Sequence, residues 1–470
     1  MQKREKFNSK IGFILAATAS AVGIGNLVGF PVFAAKNGGF AFLVIYIFCM
    51  LFLCLPILIS EIAIGRNTRL SPYGSYIKIG GKALPWQFAG GLAVLTPFMI
   101  AVFYQVIATW VLGYFIIIVS GNLATIAEPG YFDAHLVDGI NFVYMTLLFA
   151  ILAVILIQGV KNGIERIATI VMPMLVLLII GLIIFTLTQD HAWKGVSYYL
   201  TPNWNNVVGG GHTLASVSVG AMSQAFFSLS LGMGIMISYG SYTSNKYPLA
   251  KSSTNIAFVD TGFAILAGLL ILPAIFVYNP STHVAELTES SVGLMFSILP
   301  KTFLSLSSHI GYVGSSIIAA LFFFSVFLAA LTSQMSIMQV PIASLQDQFG
   351  WSLPKCVIVL ILTMIVFIVP CLLSFGEVQF FTNFITYGGS TKSFFDFIIN
   401  IFYETVLPIN GFLICLLICY KWKVKNLMQE VVADPKNLTL VEKYVKLSIG
   451  SFIPLILVVI IGLTIHKIYF

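Results

Sequence analysis

Residues Ala21 to Pro31 read AVGIGNLVGFP, and the fold turns on how that stretch is accommodated. It lies inside a long apolar run, 11–35, yet carries three glycines, an asparagine and a proline. In a bilayer, non-helical backbone is tolerated only where protein buries it or a wet cavity lies beside it. A broken helix at that depth exposes carbonyls suited to a cation. The N–H groups of the half-helix that follows suit a carboxylate.

A second such interruption lies at Ser223 to Met236, SQAFFSLSLGMGIM, with three serines and two glycines. Around the two, the 470 residues are 59% hydrophobic and 9% charged, with mean hydropathy +0.98, too apolar for one soluble core. Eleven apolar spans emerge, at about 11–35, 40–64, 88–119, 141–159, 166–187, 213–241, 255–277, 311–342, 354–373, 394–420 and 445–466. The first is too long and too glycine-rich for a cleaved leader. With the amino terminus inside, all but five of the 24 lysines and arginines fall on the cytoplasmic side, so the net charge of +7 orients the chain and calls for no nucleic acid. The six cysteines lie in or at the ends of apolar runs and read as packing residues.

The interruptions occupy spans one and six, corresponding places in two five-span halves. An odd number of spans per half inverts the second. Paired breaks in inverted halves point to a transport site near the bilayer midplane. The expected organisation is a single all-α membrane domain over 1–470, with repeat one about 11–187, repeat two about 213–420 and an extra helix about 445–466. Glycine-mediated helix packing is the alternative reading of such runs.

Several polar residues at membrane depth need a reason. Asp260, in NIAFVDTGFAIL, is costly unless paired, protonated or ion-bound. Thr332 and Ser333 follow LFFFSVFLAAL and either back-bond to their own helix or supply hydroxyl ligands. Together with backbone carbonyls and Asn26 they make a hard oxygen set suited to an alkali cation, not to zinc. Glu61, in LISEIAIGR, either pairs with Arg66 or ties span two to a broken helix. No HExxH, GxSxG or P-loop appears, so an enzyme is not expected.

At these residues the chain resembles the neurotransmitter:sodium symporter family and its bacterial amino-acid importers. The likeness runs from REKFNSKIGFILAATASAVGIGNLVGFPVFAAKNGG (Arg4 to Gly39) through PILISEIAIGR (Pro56 to Arg66) and FYQVIATW (Phe103 to Trp110). It continues through FFSLSLGMGIMISYGSY (Phe226 to Tyr242), VDTGFAILAG (Val259 to Gly268), the lid-like SVGLMFSILPKTF (Ser291 to Phe303) and LAALTSQMSIMQ (Leu328 to Gln339). The resemblance implies a first sodium site at Ala21, Asn26, Ser228 and Asp260, completed by the substrate carboxylate. It implies a second at Ala19, Val22, Ala329, Thr332 and Ser333. The implied substrate site comprises Ala21, Gly23, Gly25, Ile100, Tyr104, Phe227, Ser228, Ser230, Met233 and Ile337, with Tyr104 on the carboxylate and Phe227 as lid. Arg4 and Asp347, with Tyr242, match the inner gate.

Glycine at position 23, where monoamine members carry an aspartate, implies a substrate that brings its own carboxylate. Ile100, Met233 and Ile337 imply a hydrophobic or aromatic side chain. Asp260 in place of an asparagine, with Ala264 nearby, implies that chloride is dispensable and that Asp260 takes a proton on the empty return stroke. The family's outer-gate arginine is replaced by Gly29, so Asp396 lacks its partner and Gln224 and Phe227 must close the path. The implied protein is a sodium-driven amino-acid symporter of a bacterial inner membrane, its partners being sodium ions, the amino acid and the bilayer. Proton coupling or exchange, an osmolyte or amine substrate, and a non-transporting sensor are the alternatives.

Overall fold

The computed structural model describes residues 5–202, 213–278, 291–376, 378–432 and 438–470. Among them, nine unbroken helices are long and apolar enough to cross a bilayer: Phe40–Thr68, Leu84–Val119, Ile140–Ile157, Val160–Leu187, Leu249–Val277, Ser307–Phe349, Leu353–Leu373, Phe394–Trp422 and Phe452–Tyr469. Span one is split into Lys10–Ala21 and Gly25–Lys36, bent by 53°. Span six is split into Leu214–Ser228 and Ile235–Tyr242. Counting these two with the nine gives eleven candidate spans among the described residues, and the split pair are the two whose sequence is interrupted.

Local chemistry explains both breaks. In span one, Val22 leaves the helix at φ −74°, ψ 99°, its N–H still bonded to the Thr18 carbonyl at 2.7 Å. In span six the chain passes through left-handed conformations at Ser230 (φ 54°), Gly232 (φ 72°) and Gly234 (φ 67°), which end a right-handed helix. Ser230 is the exception to the glycine preference there. Its hydroxyl donates to the Ser20 carbonyl at 3.2 Å, so the strained turn is fastened to span one.

Close packing holds the halves in place. A side chain at Gly65 would collide with the Ile237 carbonyl, and one at Gly240 with the Ile62 carbonyl. Span two and the inner half of span six therefore touch backbone to backbone, as small residues allow in membranes. Spans three and eight pack along much of their lengths, and span seven lies against span two and both halves of span one.

At the end of the molecule bearing the amino terminus, Glu5 Oε2 accepts from Val160 N at 2.9 Å and Glu165 Oε2 from Asn8 N at 2.8 Å. Arg66 pairs with Glu430 at 2.5 Å and donates to the Tyr247 carbonyl at 2.8 Å, while Arg69 donates to the carbonyls of Ser241 and Thr243. At the opposite end the lid-like segment packs Phe296 on Phe132 and Tyr114, with ring centroids 5.0 and 4.8 Å apart.

Two features depart from the sequence expectation. A hairpin, β1 (Ile385–Tyr387) and β2 (Ser390–Lys392), precedes span ten. Gly388 and Gly389 sit at φ 58° and 72°, the geometry a two-residue hairpin turn requires. Span eleven starts at Phe452 instead of about 445, because Leu440–Ser448 forms a separate helix ended by Ser451 in a non-helical conformation.

Candidate functional site

The two breaks face one another, and span seven closes the space between them. Asn26 Nδ2 donates to Ser228 Oγ at 2.9 Å and to Asp260 Oδ1 at 2.8 Å, while Ser228 Oγ donates to Asp260 Oδ2 at 2.6 Å. The Tyr46 hydroxyl donates to Ser228 Oγ at 3.2 Å, and Gly23 N donates to Asn26 Oδ1 at 3.3 Å. Asn26 and Asp260 are 0% exposed and Ser228 1%. Among the described residues no lysine or arginine lies within ion-pair distance of Asp260. A carboxylate so buried requires a compensating cation or a proton.

A second cluster joins span eight to span one. Ser333 Oγ donates to the carbonyls of Ser20 at 3.1 Å and Val22 at 3.3 Å. The Thr332 hydroxyl turns back on its own helix, to the carbonyls of Leu328 at 3.1 Å and Ala329 at 3.0 Å. Ala19 is buried in the same turn of span one. The Ser20 carbonyl, absent from the sequence reading, accepts from both Ser230 and Ser333.

Between the clusters is a narrow cavity of about 10 Å³, room for roughly one water molecule. Ala21, Gly23, Gly25, Tyr104, Phe227, Ser230, Met233 and Ile337 line it, joined by Ser20, Asn26 and Ser333. Two expected members stand outside the lining: Ile100 is buried in span three, and Ser228 is turned to Asp260. The Tyr104 hydroxyl accepts the Ile24 N–H at 3.1 Å, next to the Gly23 N–H that Asn26 takes. The glycines are sterically required. A Cβ on Gly23 would lie 2.6 Å from Ser333 Oγ and 2.7 Å from the Tyr104 hydroxyl, and one on Gly25 would lie 2.7 Å from the Phe227 ring.

Both exits are closed by contacts. On the side away from the amino terminus Gln224 Nε2 donates to the Gly25 carbonyl at 2.7 Å, and its Oε1 would stand 3.5 Å from a Cβ on Gly29. Phe227 meets Tyr403 of span ten edge to face, with centroids 4.6 Å apart. Asp396 takes no part: its carboxylate accepts from Ser393 N and Oγ, capping the start of span ten. On the amino-terminal side Asp347 accepts from Ser71 N at 2.6 Å, and Tyr242 binds Gln339 Nε2 at 3.1 Å through its hydroxyl and Phe7 N at 3.1 Å through its carbonyl. Arg4 lies outside the described residues.

Glu61 resolves in favour of the broken helix. Its Oε1 accepts from Gly232 N at 2.7 Å, and Asn410 Nδ2 donates to the Gly232 carbonyl at 2.8 Å and to Thr96 Oγ1 at 2.9 Å. Tyr46, Asn410 and Tyr403 were missed in the sequence reading. A lone tyrosine in AFLVIYIFC and an asparagine in VLPINGFLICL, both polar at membrane depth, were the available signals.

The chain is similar to known proteins along nearly its whole length. The model of the Sodium:neurotransmitter symporter family matches residues 4–127 and 124–469. An uncharacterized sodium-dependent transporter, YhdH, of Bacillus subtilis is 30% identical over 443 residues, 92% of this chain and 91% of the relative. One of Methanocaldococcus jannaschii is 32% identical over 377 residues, 77% of this chain and 74% of the relative. Among solved structures, that of MhsT in complex with L-phenylalanine matches with a TM-score of 0.84 at 33% identity, covering 98% of this chain and all of that one.

Proposed function

The chain belongs to the Sodium:neurotransmitter symporter family, and from that premise we propose that it imports a neutral, hydrophobic or aromatic L-amino acid across a bacterial inner membrane together with two sodium ions. The family makes it a sodium-dependent membrane transporter and not an enzyme. The observation that carries the finer reading is the buried Asn26–Ser228–Asp260 cluster, which joins both helix breaks beside a glycine-floored cavity.

In this reading one sodium sits among Ala21, Asn26, Ser228 and Asp260, and the substrate carboxylate completes its oxygen shell. The same carboxylate takes the Tyr104 hydroxyl and the N–H groups after the first break. Substrate and ion therefore stabilise each other, which is the origin of coupling. The second sodium sits among the carbonyls of Ala19, Ser20 and Val22, the Ala329 carbonyl and the hydroxyls of Thr332 and Ser333, fastening span eight to span one. Asp260 supplies the fixed negative charge, so chloride is not required.

Met233 and Ile337 give the side-chain end of the cavity an apolar wall, and Met adapts to aromatic shapes. That the structural relative was solved with L-phenylalanine supports the same class. Admission requires the two breaks to part, because Gln224, Phe227 and Tyr403 close one side and Tyr242, Asp347 and Phe7 the other. Spans one, two, six and seven move together against the rest, the Gly65 and Gly240 contacts and the Glu61–Gly232 bond keeping span two with span six. A potential of 100 mV contributes about 2.3 kcal/mol per sodium and a tenfold gradient about 1.4 kcal/mol. Two ions then supply roughly 7 kcal/mol, ample for steep accumulation.

Equilibrium binding of labelled phenylalanine, leucine, glycine and a monoamine to the detergent-purified protein, in sodium and in choline, tests this. Saturable binding of a hydrophobic amino acid in sodium only, weakened at least tenfold in Asp260→Asn, is expected. Equal binding in choline, or preference for the amine, contradicts it.

A further inference from the structure

Away from the transport site, the lipid-facing surface carries a pocket of about 390 Å³ between spans three, eight and nine, at the end of the molecule that bears the amino terminus. Its walls are Gly91, Leu95 and Phe98 of span three, Leu345 and Phe349 of span eight, and Val359 of span nine. Two residues stand out along it. Gly91 leaves open space where any side chain would project, and Pro341 interrupts the hydrogen-bond ladder of span eight along the groove. Of the polar side chains in the wall, two are spent internally, Ser344 Oγ donating to the Val340 carbonyl at 3.0 Å and Thr363 Oγ1 to the Val359 carbonyl at 2.8 Å, while Tyr73 and Gln348 complete the lining and the exposed wall is overwhelmingly apolar. The groove therefore offers a ligand apolar contact along its length.

Its mouth is the reverse. Phe349, in the wall, stacks on Trp351 at 5.0 Å, and Lys355 Nζ stands 4.3 Å from the centre of the Trp351 ring. Lys355 is one helical turn before Val359 and so lies on the groove face of span nine. Lys82, exposed, immediately precedes span three. Spans three and nine both begin at this end, so their positive dipole ends add to the two lysines. The one acid of span eight here, Asp347, is turned to Ser71 N.

We propose that this groove is a binding site for an anionic glycerophospholipid, with one acyl chain between Gly91 and Phe98 and the phosphodiester at Lys355 and Lys82. An apolar slot with a tryptophan–lysine rim matches a lipid standing in the leaflet, and the charge selects the anionic headgroup. The lipid braces the outer face of the helix whose Thr332, Ser333 and Ile337 line the proposed transport site. The proposal depends on the chain spanning a membrane, not on what it carries.

Native mass spectrometry of the full-length protein in detergent, titrated with phosphatidylglycerol or phosphatidylcholine of identical acyl chains, tests it without reference to transport. Wild type should retain phosphatidylglycerol at least fivefold better than phosphatidylcholine. Lys82→Gln with Lys355→Gln should bring the two lipids level, and Gly91→Leu should weaken both. Tail-free glycerol phosphate should fail to displace the bound lipid. Equal retention of both lipids by wild type, a preference that survives loss of both lysines, or displacement by glycerol phosphate would overturn it. Lys82 and Lys355 are exposed, so their variants fold even if Gly91→Leu does not.

Discussion

Gly23 is where a single added carbon would press on both parts of the proposed site at once. Ser333 Oγ and the Tyr104 hydroxyl flank it so closely that Gly23→Asp displaces both, although one belongs to the proposed sodium set and the other to the carboxylate set. Sodium-dependent binding of phenylalanine should fall more than 100-fold in this variant, measured by scintillation proximity. Gly181→Ala, in open space, should leave it unchanged. Asp260→Asn should raise the sodium concentration for half-maximal binding at least tenfold, because the neutral amide no longer offsets a buried cation. A sodium dependence identical to wild type would remove Asp260 from the site. These residues were legible in the sequence because polar groups at membrane depth are costly and therefore few. Tyr46 was not, since its single hydroxyl is hidden in an otherwise plain aromatic span. Ser20 was not, since it contributes a carbonyl that any residue would possess.

At the break of span six, neighbouring spans add hydrogen bonds to those the segment makes within itself. Glu61 and Asn410 satisfy the N–H and carbonyl of Gly232, and removing either leaves a buried polar group without its partner. Asn410→Ala should cost roughly 1–3 kcal/mol, seen as a lower melting temperature in detergent, and should weaken substrate binding in parallel. Unchanged stability would mean that the break is self-supporting. On the outer side, Tyr403→Ala should release Phe227. The edge-to-face pair is worth about 0.5–1.5 kcal/mol, so bound substrate should dissociate roughly two- to tenfold faster, with Phe227→Ala giving no further gain in the double variant. The spans themselves were readable from hydropathy, and the two interruptions from glycine and serine content. The hairpin was not, because β1 and β2 are three residues each, too short for an alternating pattern to register. The role of Tyr403 depends on a contact between spans six and ten that no local pattern encodes.

Across the whole molecule, the proposed coupling rests on contacts that flank one small cavity on both sides. On the side away from the amino terminus the contacts are those of Gln224, Phe227 and Tyr403, and on the amino-terminal side those of Tyr242 and Asp347. In the proposed reading, an amino acid and its sodium ions would replace the contacts between Asn26, Ser228 and Asp260 with contacts to cargo, the differential interaction a conformational change requires. The direct measurement is uptake of labelled phenylalanine into proteoliposomes under an inward sodium gradient, compared with an equal choline gradient. The account predicts accumulation above the outside concentration in sodium alone, unaltered when chloride is replaced by gluconate. Equal uptake in choline, or binding that never leads to accumulation, would contradict it.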